Sequence, residues 1–455
     1  MHDDTIVALG TPAGSSGIAV IRISGPQAVG ILGAMAPGAG EWEPRTLHNC
    51  PLYGEGRDLL DDVVAAVFHG PNSYTGEDSA EISCHGSMQI VSAIIEETIR
   101  RGARLAGPGE FTRRAFLSGK IDLVQAEAVA DLIASETKLQ AEVALLHLKG
   151  ALSSKVGMIE KDLRSVLALV EASIDFPEED IETYAPGALK DSAGAHIARI
   201  SHLLQSEVAG AKLRRGIRLT ITGPRNAGKS SLYNALLGEE RAIVSPVPGT
   251  TRDVLRERIH IGGLTYHLED TAGLAETGCE IESEGIRKGR EAAGAADLVL
   301  FVVDATEGWT EEALRELAVH AGGNRIVVVN KADLVPGGGD AASQSPVGGE
   351  RTAIVSAVTG EGLSQLRDRI FDFTTNGGLS VVQGELIALN IRQGTALRRA
   401  MEALERFVGE LGEDSPAEIL SLELREALDA CGEVTGRSAA EDILDEIFSM
   451  FCIGK

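Results

Sequence analysis

Short apolar runs separated by turn residues fill the first 120 or so residues of the chain. The clearest runs are residues 18–23 and 62–68, and Gly-Pro pairs such as Gly70-Pro71 interrupt the pattern. Runs of this length, rich in Val and Ile and bounded by Gly and Pro, are typical of β-strands. The sequence therefore predicts an α+β domain over residues 1–120.

From Asp122 onward the apolar positions recur at helical spacing. Residues 123–148 and 152–174 are rich in Ala, Leu and Glu, Pro177 ends the pattern, and residues 189–213 resume it. A proline in such a pattern ends or kinks a helix. Beyond about Gly384 the spacing is helical again, which predicts one all-α domain built from residues 121–214 and 377–455.

Between these two helical parts lie continuous apolar runs, at residues 298–303 and 326–329, that alternate with helical patterns. Such runs are typical of parallel strands buried on both faces. The alternation predicts a doubly wound α/β domain over residues 215–376, inserted into the helical domain. The Gly, Ser and Pro-rich stretch 336–349 is predicted to be a peripheral loop.

The charge balance limits the choice of partners. Asp and Glu number 67 against 42 Lys and Arg, a formal net charge of −25 over 455 residues. This balance argues against broad nucleic-acid binding driven by counterion release, so any RNA contact requires a local basic patch. Solvated helix ends are the alternative interpretation of the two candidate patches. These are Arg100, Arg101 and Arg104, and Lys212, Arg214, Arg215 and Arg218.

The cysteines and the N-terminus indicate a compartment. Five scattered cysteines form no C-x-x-C pair, which fits a reducing environment. The chain starts with acidic residues, and no apolar run approaches the ~20 residues of a membrane span. A cytoplasmic protein without a membrane segment is expected.

Residues 223–230 match the phosphate-loop pattern G-x-x-x-x-G-K-[ST]. A strand-like run precedes the loop and a helical pattern follows it, which is the context that this motif requires. Glycines let backbone N–H groups turn toward phosphate oxygens, and the helix N-terminus adds a positive dipole. Lys229 supplies charge and Ser230 a hydroxyl for magnesium, so the loop predicts a nucleoside triphosphate site.

Two further motifs narrow the nucleotide. In residues 270–273, Asp270 is expected to orient a magnesium-bound water and the Gly273 N–H to sense the γ-phosphate. In residues 330–333, the Asp333 carboxylate can accept hydrogen bonds from the N1–H and exocyclic amine of guanine, a donor pair that adenine lacks. Alone, this second motif also fits a helix N-cap.

The backbone of Ser356 and Ala357, after a short apolar run, is expected to support the edge of the base. Four elements in this order predict a GTPase domain.

The predicted catalytic set differs from that of Ras. Residues 248–253 are the predicted first switch, where Thr251 completes the magnesium shell only with GTP bound. Leu274 stands where Ras has its catalytic Gln, and spacing assigns no arginine finger. The amide oxygen of Asn226 can instead coordinate a monovalent cation beside the phosphates, placing positive charge where an arginine finger otherwise sits.

Residues 226–231, 249–253 and 270–274, with the terminal Phe-Cys-Ile-Gly-Lys at 451–455, closely resemble the MnmE (TrmE) family of tRNA modification GTPases. The resemblance covers nearly the whole chain, apart from the segments near Gly40 and Gly338. Its N-terminal part rests on residues 9–12, 21–25, 71–78, 108–112 and 125–128.

The resemblance implies a homodimer that works with the FAD protein MnmG (GidA) in a heterotetramer-type complex. Together they would add an aminomethyl or carboxymethylaminomethyl group at C5 of the tRNA wobble uridine. A tetrahydrofolate, in its 5-formyl or 5,10-methylene form, would supply the one-carbon unit, and FAD would enter only through the partner. Potassium would stimulate GTP hydrolysis as two GTPase domains meet across the dimer.

The resemblance also implies roles for individual residues. Glu282 would position water, although Glu280 and Glu284 leave the register open, and Asn226 and Lys229 complete the catalytic set. Magnesium would be held by Ser230 and Thr251, and potassium by Asn226, Ser245, Val247 and Thr250. The full predicted GTP-binding set is Asn226, Ala227, Gly228, Lys229, Ser230, Ser231, Ser245, Pro246, Val247, Pro248, Gly249, Thr250, Thr251, Asp270, Thr271, Ala272, Gly273, Asn330, Lys331, Asp333, Ser356 and Ala357.

In the same way, the folate site would consist of Arg22, Glu81, Lys120 and Lys455. A glutamate can pair with the amino and ring N–H donors of a pterin, while Arg and Lys meet carboxylates. Cys452, next to a terminal lysine, is either an activated nucleophile or a packed apolar cysteine.

Two other classes of protein remain as alternatives. One is a regulatory GTPase switch or ribosome-assembly factor without folate chemistry, which the acidic balance and the terminal motif disfavour. The other is a folate one-carbon transferase with an appended GTPase, which sequence alone leaves open.

Overall fold

A computed structural model describes most of the chain, and its elements are numbered below in chain order within the described residues. The described residues are 3–175, 186–238, 257–270, 296–319, 324–335, 344–375, 387–411 and 416–455. They divide into two compact units. The first unit is Met1–Ile133, His147–His196 and Ala396–Lys455, and the second is Ala134–Leu146 and Ile197–Thr395.

A six-stranded sheet begins the first unit. Its strands are β1 (Thr5–Leu9), β2 (Ser16–Ser24), β3 (His48–Tyr53), β4 (Leu59–Phe68), β5 (Ser79–Gly86) and β6 (Ala103–Leu105). Their spatial order is β3-β4-β5-β2-β1-β6, and every pair is antiparallel except β1 with β6.

Three helices accompany the sheet: α1 (Ala28–Met35), α2 (Met88–Arg100) and α3 (Glu110–Leu117). Alternate residues of the strands, such as Ile21 and Ile23, are fully buried against Leu32 of α1 and Ile94 of α2. This two-residue period is that of a strand with one face on the core. The predicted α+β domain is confirmed.

The helical part follows as α4 (Leu123–Ala134), α5 (Lys138–Leu148), α6 (Ala151–Asp175), α7 (Pro186–Leu204) and α8 (Glu207–Arg215). It resumes after the α/β domain as α12 (Ile391–Glu410), α13 (Ala417–Thr435) and α14 (Glu441–Ser449). Within the first unit α13 packs along α6. None of the described helices is both long and apolar enough to cross a membrane.

The predicted helical stretches 123–148 and 189–213 are helical, and each is divided into two helices. At the first break the Gln140 side chain accepts the Thr137 N–H at 3.0 Å, and Thr137 Oγ1 accepts the Gln140 N–H at 3.2 Å. This reciprocal capping box starts a new helix at Lys138. Reciprocal capping boxes also precede α4, where Asp122 pairs with Gln125, and α12, where Asn390 pairs with Gln393.

The α/β domain holds β7 (Ile217–Thr222), α9 (Lys229–Gly238), β8 (Glu257–Ile261), β9 (Leu264–Asp270), β10 (Leu298–Asp304), α10 (Glu311–Val319), β11 (Arg325–Asn330), β12 (Thr352–Ile354) and α11 (Leu363–Thr375). A 3-10 helix, Gly349–Arg351, comes directly before β12. The sheet order is β12-β11-β10-β7-β9-β8, parallel except for the pair β8 and β9.

Strand β10 is buried along its whole length, as its uninterrupted apolar run predicts. The predicted doubly wound fold is confirmed. Because parallel strands place their carboxyl ends at one edge, the loops after β7, β10, β11 and β12 gather there, which is where open α/β sheets bind ligands.

Candidate functional site

The phosphate loop leaves β7 and enters α9 through three left-handed residues. Gly223, Asn226 and Gly228 have φ of 137°, 61° and 90°. A Cβ on Gly223 would lie 2.2 Å from the Val302 carbonyl oxygen, and one on Gly228 would lie 2.2 Å from Nδ2 of Asn330. Only glycine fits both positions. Successive N–H groups in such a turn form a concavity that suits an anion.

The Lys229 ammonium lies inside this loop. Its Nζ donates to the carbonyl oxygens of Gly223 at 2.8 Å and Pro224 at 2.7 Å. Lys229 is also the first residue of α9, where the helix dipole favours negative charge. The next residue, Ser230, is exposed, as is Asn226. The loop thus combines a fixed cation with exposed oxygen ligands.

Asn330, the last residue of β11, connects two loops at this edge and is 2% exposed. Its Nδ2 donates to the Ala227 carbonyl oxygen at 3.0 Å, and its Oδ1 accepts the Ala357 N–H at 3.0 Å. The phosphate loop and the segment after β12 are therefore tied together through one buried amide.

Asp333 is exposed, and its carboxylate is oriented by a neighbour. The Ser356 hydroxyl, fully buried, donates to Oδ1 of Asp333 at 2.6 Å. Lys331, with φ of 65°, turns away and donates from Nζ to Oδ2 of Asp304 at 2.6 Å. The arrangement presents one oriented carboxylate at the place where the sequence predicts guanine recognition.

Asp304 is a residue that sequence reasoning missed. It closes β10, and its Oδ1 accepts the N–H and hydroxyl of Thr306 at 2.8 and 2.7 Å. Burial opposes its charge, yet hydrogen bonds from Lys331 and Thr306 hold the pKa of Asp304 below its usual value. The sequence signal that could have identified Asp304 is a carboxylate at the end of an otherwise apolar strand.

Much of the predicted switch and catalytic set lies outside the described residues, so those roles stay predictions. Asp270 ends β9, beside β7, but its side chain is not described. The undescribed candidates are Ser245, Pro246, Val247, Pro248, Gly249, Thr250, Thr251, Thr271, Ala272, Gly273, Leu274, Glu280, Glu282 and Glu284.

The N-terminal sheet carries the second candidate site. Arg22 on β2 and Glu81 on β5 are directly paired across the strands, and Nε of Arg22 donates to Oε1 of Glu81 at 2.8 Å. Lys455 lies near both. Burial and the positive charge of Arg22 lower the pKa of Lys455, partly offset by Glu81. Three of the four predicted folate residues are thus brought together.

The terminal motif reaches this site by pairing with the segment before α3. Ile453 forms an isolated antiparallel bridge with Pro108, and the Phe111 N–H donates to the Lys455 main-chain oxygen at 3.2 Å. Gly454 has φ of 94°, and a Cβ there would lie 2.1 Å from the Leu9 carbonyl oxygen. Glycine at this position is therefore a requirement of the fold.

Lys120 and Cys452, the other two candidate residues near this site, both have exposed side chains. Lys120 is exposed, and its Nζ donates to the Pro71 carbonyl oxygen at 2.9 Å. Cys452 is exposed while Phe451 is buried, so the interpretation of Cys452 as a packed apolar cysteine is wrong. The main-chain pairing turns the Cys452 side chain away from the core that holds Phe451.

Both predicted basic patches are used in structural contacts. Arg100 and Arg101 bind the buried carboxylate of Glu97 at 2.9 and 2.8 Å, and Arg104 binds Asp4 and Glu110. In the second patch, Lys212 and Arg214 donate to main-chain carbonyls, and Arg215 and Arg218 face Asp297. Neither patch is a surface of unpaired cations.

The sheet, the phosphate loop and the oriented Asp333 define a Ras-like GTPase domain, inserted between two parts of a helical domain behind an N-terminal α+β domain. Residues 5–120 match the family model of the GTP-binding protein TrmE N-terminus, and residues 123–452 match that of the MnmE helical domain. The chain belongs to the MnmE family of tRNA modification GTPases.

Two relatives show the extent of the match. The tRNA modification GTPase MnmE of Aquifex aeolicus is 42% identical over 453 residues, covering 99% of this chain and 100% of that protein. The one from Moorella thermoacetica is 42% identical over 467 residues, covering 100% of each.

Solved structures of GTP-binding proteins match part of the chain. Era in complex with MgGDPNP and 16S ribosomal RNA is 24% identical, with a TM-score of 0.28, over 41% of this chain and 66% of that one. The G domain of T. maritima FeoB is 25% identical, with a TM-score of 0.25, over 34% of this chain and 98% of that one. Scores this low add nothing to the family assignment.

Proposed function

We propose that this chain is a potassium-stimulated GTPase that modifies the tRNA wobble uridine with MnmG and a tetrahydrofolate. It would act in the cytoplasm as a homodimer, adding an aminomethyl or carboxymethylaminomethyl group at C5. The observation that carries the proposal is the cluster of Arg22, Glu81 and Lys455. A purely regulatory GTPase has no need of a carboxylate clustered with two cations in a separate domain.

The phosphate loop suits GTP. Backbone N–H groups of residues 225–230 would face the phosphates, Lys229 would neutralise their charge, and Asp333 would accept the donors of guanine. Ser230 at the start of α9 would hold magnesium together with Thr251. Bound magnesium supplies charge stabilisation on the phosphates during hydrolysis.

Asn226 suits a role in potassium binding. It is exposed and held in a left-handed conformation inside the loop, so its side chain leaves the loop on the side away from the core. The amide oxygen, with the backbone of Ser245, Val247 and Thr250, would hold potassium. Since Leu274 cannot orient water by a hydrogen bond, Glu282 would do so, with Glu280 and Glu284 as alternatives.

The folate site would use complementary charge. Glu81 would accept the amino and ring N–H donors of a pterin, and the hydrogen bond from Arg22 holds that carboxylate in place. Lys455 and Lys120 would meet the carboxylates of the same ligand. Lys120 bonds to Pro71, so it would serve a part of the ligand other than the pterin. Exposed Cys452 next to Lys455 keeps its role as a candidate nucleophile.

The cation proposal is tested by hydrolysis rates in KCl and NaCl at equal ionic strength. The wild type should be faster in KCl, and Asn226→Ala should lose that difference. Asn234→Ala, an exposed asparagine on α9, is the matched control and should behave as wild type. Equal wild-type rates in both salts refute the proposed role of potassium.

Calorimetry with 5-formyltetrahydrofolate separates this enzyme from a regulatory switch. The wild type should release heat and Glu81→Gln should not, whereas Glu96→Gln, an exposed glutamate on α2, should retain it. Nucleoside chromatography of tRNA from a deletion strain tests the modification itself. An undiminished modified wobble uridine there, or no heat with wild type, contradicts the proposed function.

A further inference from the structure

Two cavities of the first unit open along one side of helix α6. The first has a volume of about 650 Å³ and is lined by residues that include Lys120, Gln125, Lys149 and Ser153. The second, about 500 Å³, is lined by residues that include Lys161 and Arg164. Arg437 lines both cavities. The two cavities therefore adjoin, and together they are called the α6 groove.

The lining residues of α6 follow a helical stripe. Ser153, Gly157, Lys161, Arg164 and Ala168 are separated by three or four positions and so lie on one face of the helix. From residue 153 to residue 168 a helix rises about 22 Å. The small residues leave room for a chain to approach α6 closely, and the cations border that space.

The α6 groove is positively charged on an acidic protein. Its lining holds five cations, Lys120, Lys149, Lys161, Arg164 and Arg437, against two carboxylates, Asp122 and Glu160. Glu160 is 1% exposed and bonds to both arginines, so it fixes their positions beneath the groove. Asp122 is engaged in the capping box of α4. A local excess of positive charge remains in a chain of net charge −25.

The groove also presents donors without acceptors. Within the described residues, the ammonium groups of Lys149 and Lys161 have no hydrogen bond or ion pair, unlike the arginines of the two basic patches. The buried Oγ of Ser153 likewise has no partner in the described part of the chain. The first turn of α6, at the same place, adds backbone N–H groups that no helix can satisfy internally. Such a set of donors suits an oxygen-rich anion.

We propose that the α6 groove binds the phosphate backbone of tRNA, an inference that rests on the proposed function for the identity of the RNA. A single phosphate would occupy one cavity, whereas two adjoining cavities along about 22 Å of helix suit an extended polyanion. Lysine, arginine, serine, glutamine and helix N-termini are the groups that contact phosphate and sugar oxygens. The groove thus positions tRNA without reading its sequence.

The test is fluorescence anisotropy of labelled tRNA with the full-length protein at several salt concentrations. Lys149→Ala/Lys161→Ala should raise Kd about tenfold and reduce the slope of log K against log salt by about 2, since each phosphate contact contributes about 1. Lys190→Ala, an exposed lysine on α7, is the control and should match wild type. Unchanged GTPase rate and folate heat in the double variant show that it is folded.

The outcomes separate the groove from the proposed function. Wild-type Kd and salt slope in the double variant overturn the groove assignment. The groove assignment is also overturned if the wild-type protein does not bind tRNA. If a deletion strain lacks the modified nucleoside in that case, the proposed function still stands. If the double variant no longer binds MnmG but binds tRNA as the wild type does, the groove is a protein interface and the tRNA assignment is again overturned. A deletion strain with undiminished modified nucleoside refutes the function instead.

Discussion

Nζ of Lys331 lies 2.6 Å from Oδ2 of Asp304, joining the loop that follows β11 to the end of β10. Lys331 lies between Asn330, which holds the phosphate loop, and Asp333, which faces the predicted base position. This ion pair therefore fixes, at the edge of the sheet, the loop that carries both Asn330 and Asp333.

Removing that carboxylate should loosen the loop. We expect Asp304→Asn to weaken GTP binding by about tenfold, because one hydrogen bond to a charged group contributes about 1.5 to 3 kcal/mol and only part of it affects affinity. A fluorescent GTP analogue measures the change. Glu307→Gln, exposed in the following turn, should leave affinity unchanged, and a wild-type Kd for Asp304→Asn would refute the role of the pair.

Asp333→Asn should change the nucleotide preference. An amide in place of the carboxylate replaces one of the two acceptors for the guanine donors with an NH2 donor, which can bond to a base that carries a carbonyl at that position, as xanthine does. A loss of about 10- to 100-fold in GTP affinity with a gain for XTP is expected, from charge-assisted bonds of about 1.5 to 3 kcal/mol. Competition binding measures both, and unaltered GTP preference contradicts guanine recognition by Asp333.

Arg114 should be a major determinant of stability in the N-terminal domain. It is 1% exposed and bonds to Asp4, Glu77 and Glu110 at 2.8, 3.1 and 3.0 Å. Arg114→Ala leaves Glu77 without its cation and leaves Asp4 and Glu110 with Arg104 alone, so a loss of about 3 to 5 kcal/mol is expected. Arg113→Ala, which removes the partly exposed pair with Asp445, should cost at most about 1 kcal/mol. Urea unfolding measures the free energy of unfolding of both variants, and an equal loss in the two would refute the larger role of Arg114.

Acid should destabilise the same network through Glu110. Burial opposes its charge, but bonds from Arg104, the Gly107 N–H and Arg114 lower the pKa of Glu110 to about 2. Because the folded pKa is depressed, the stabilisation is complete above about pH 4.5 and is lost as the pH falls toward 2. Thermal unfolding from pH 6 to 2.5 should show a steeper decline for wild type than for Glu110→Gln. Parallel curves would contradict this contribution.

Gly454→Ala should displace the terminal segment. The left-handed φ and the Leu9 carbonyl oxygen 2.1 Å from the added Cβ leave no room for a side chain. We expect at least a tenfold loss of 5-formyltetrahydrofolate affinity, since 1.4 kcal/mol corresponds to tenfold, with an unchanged GTPase rate. Gly409→Ala, in open space on α12, is the control. Wild-type affinity in Gly454→Ala would show that folate does not need this segment.

The sequence predicted the parts of the fold that depend on local pattern. The apolar run of β10, the glycines of the phosphate loop and the Pro-free helical stretches each carry their own signal. The break between α4 and α5 was also encoded locally, in Thr137 and Gln140, but the periodicity of apolar residues concealed it.

Other features depend on contacts between distant residues and have no local signal. Asp304 gains its role only because Lys331 turns back toward it. Lys149 and Lys161 form a groove with Arg437 only because α13 packs along α6. Conversely, the sequence placed Arg100 and Lys212 in basic patches because it does not show their partners. Those partners, Glu97 and the Thr374 carbonyl, are brought to them by the fold.

The bridge between Pro108 and Ile453 has a consequence for biosynthesis. Domains generally fold as units, N-terminal first, while the ribosome is still at work. Here the sheet that carries Arg22 and Glu81 can form early, but its cluster with Lys455 must wait until Lys455 has left the ribosome. A translation product that stops before Lys455 would therefore contain the sheet and still lack this cluster.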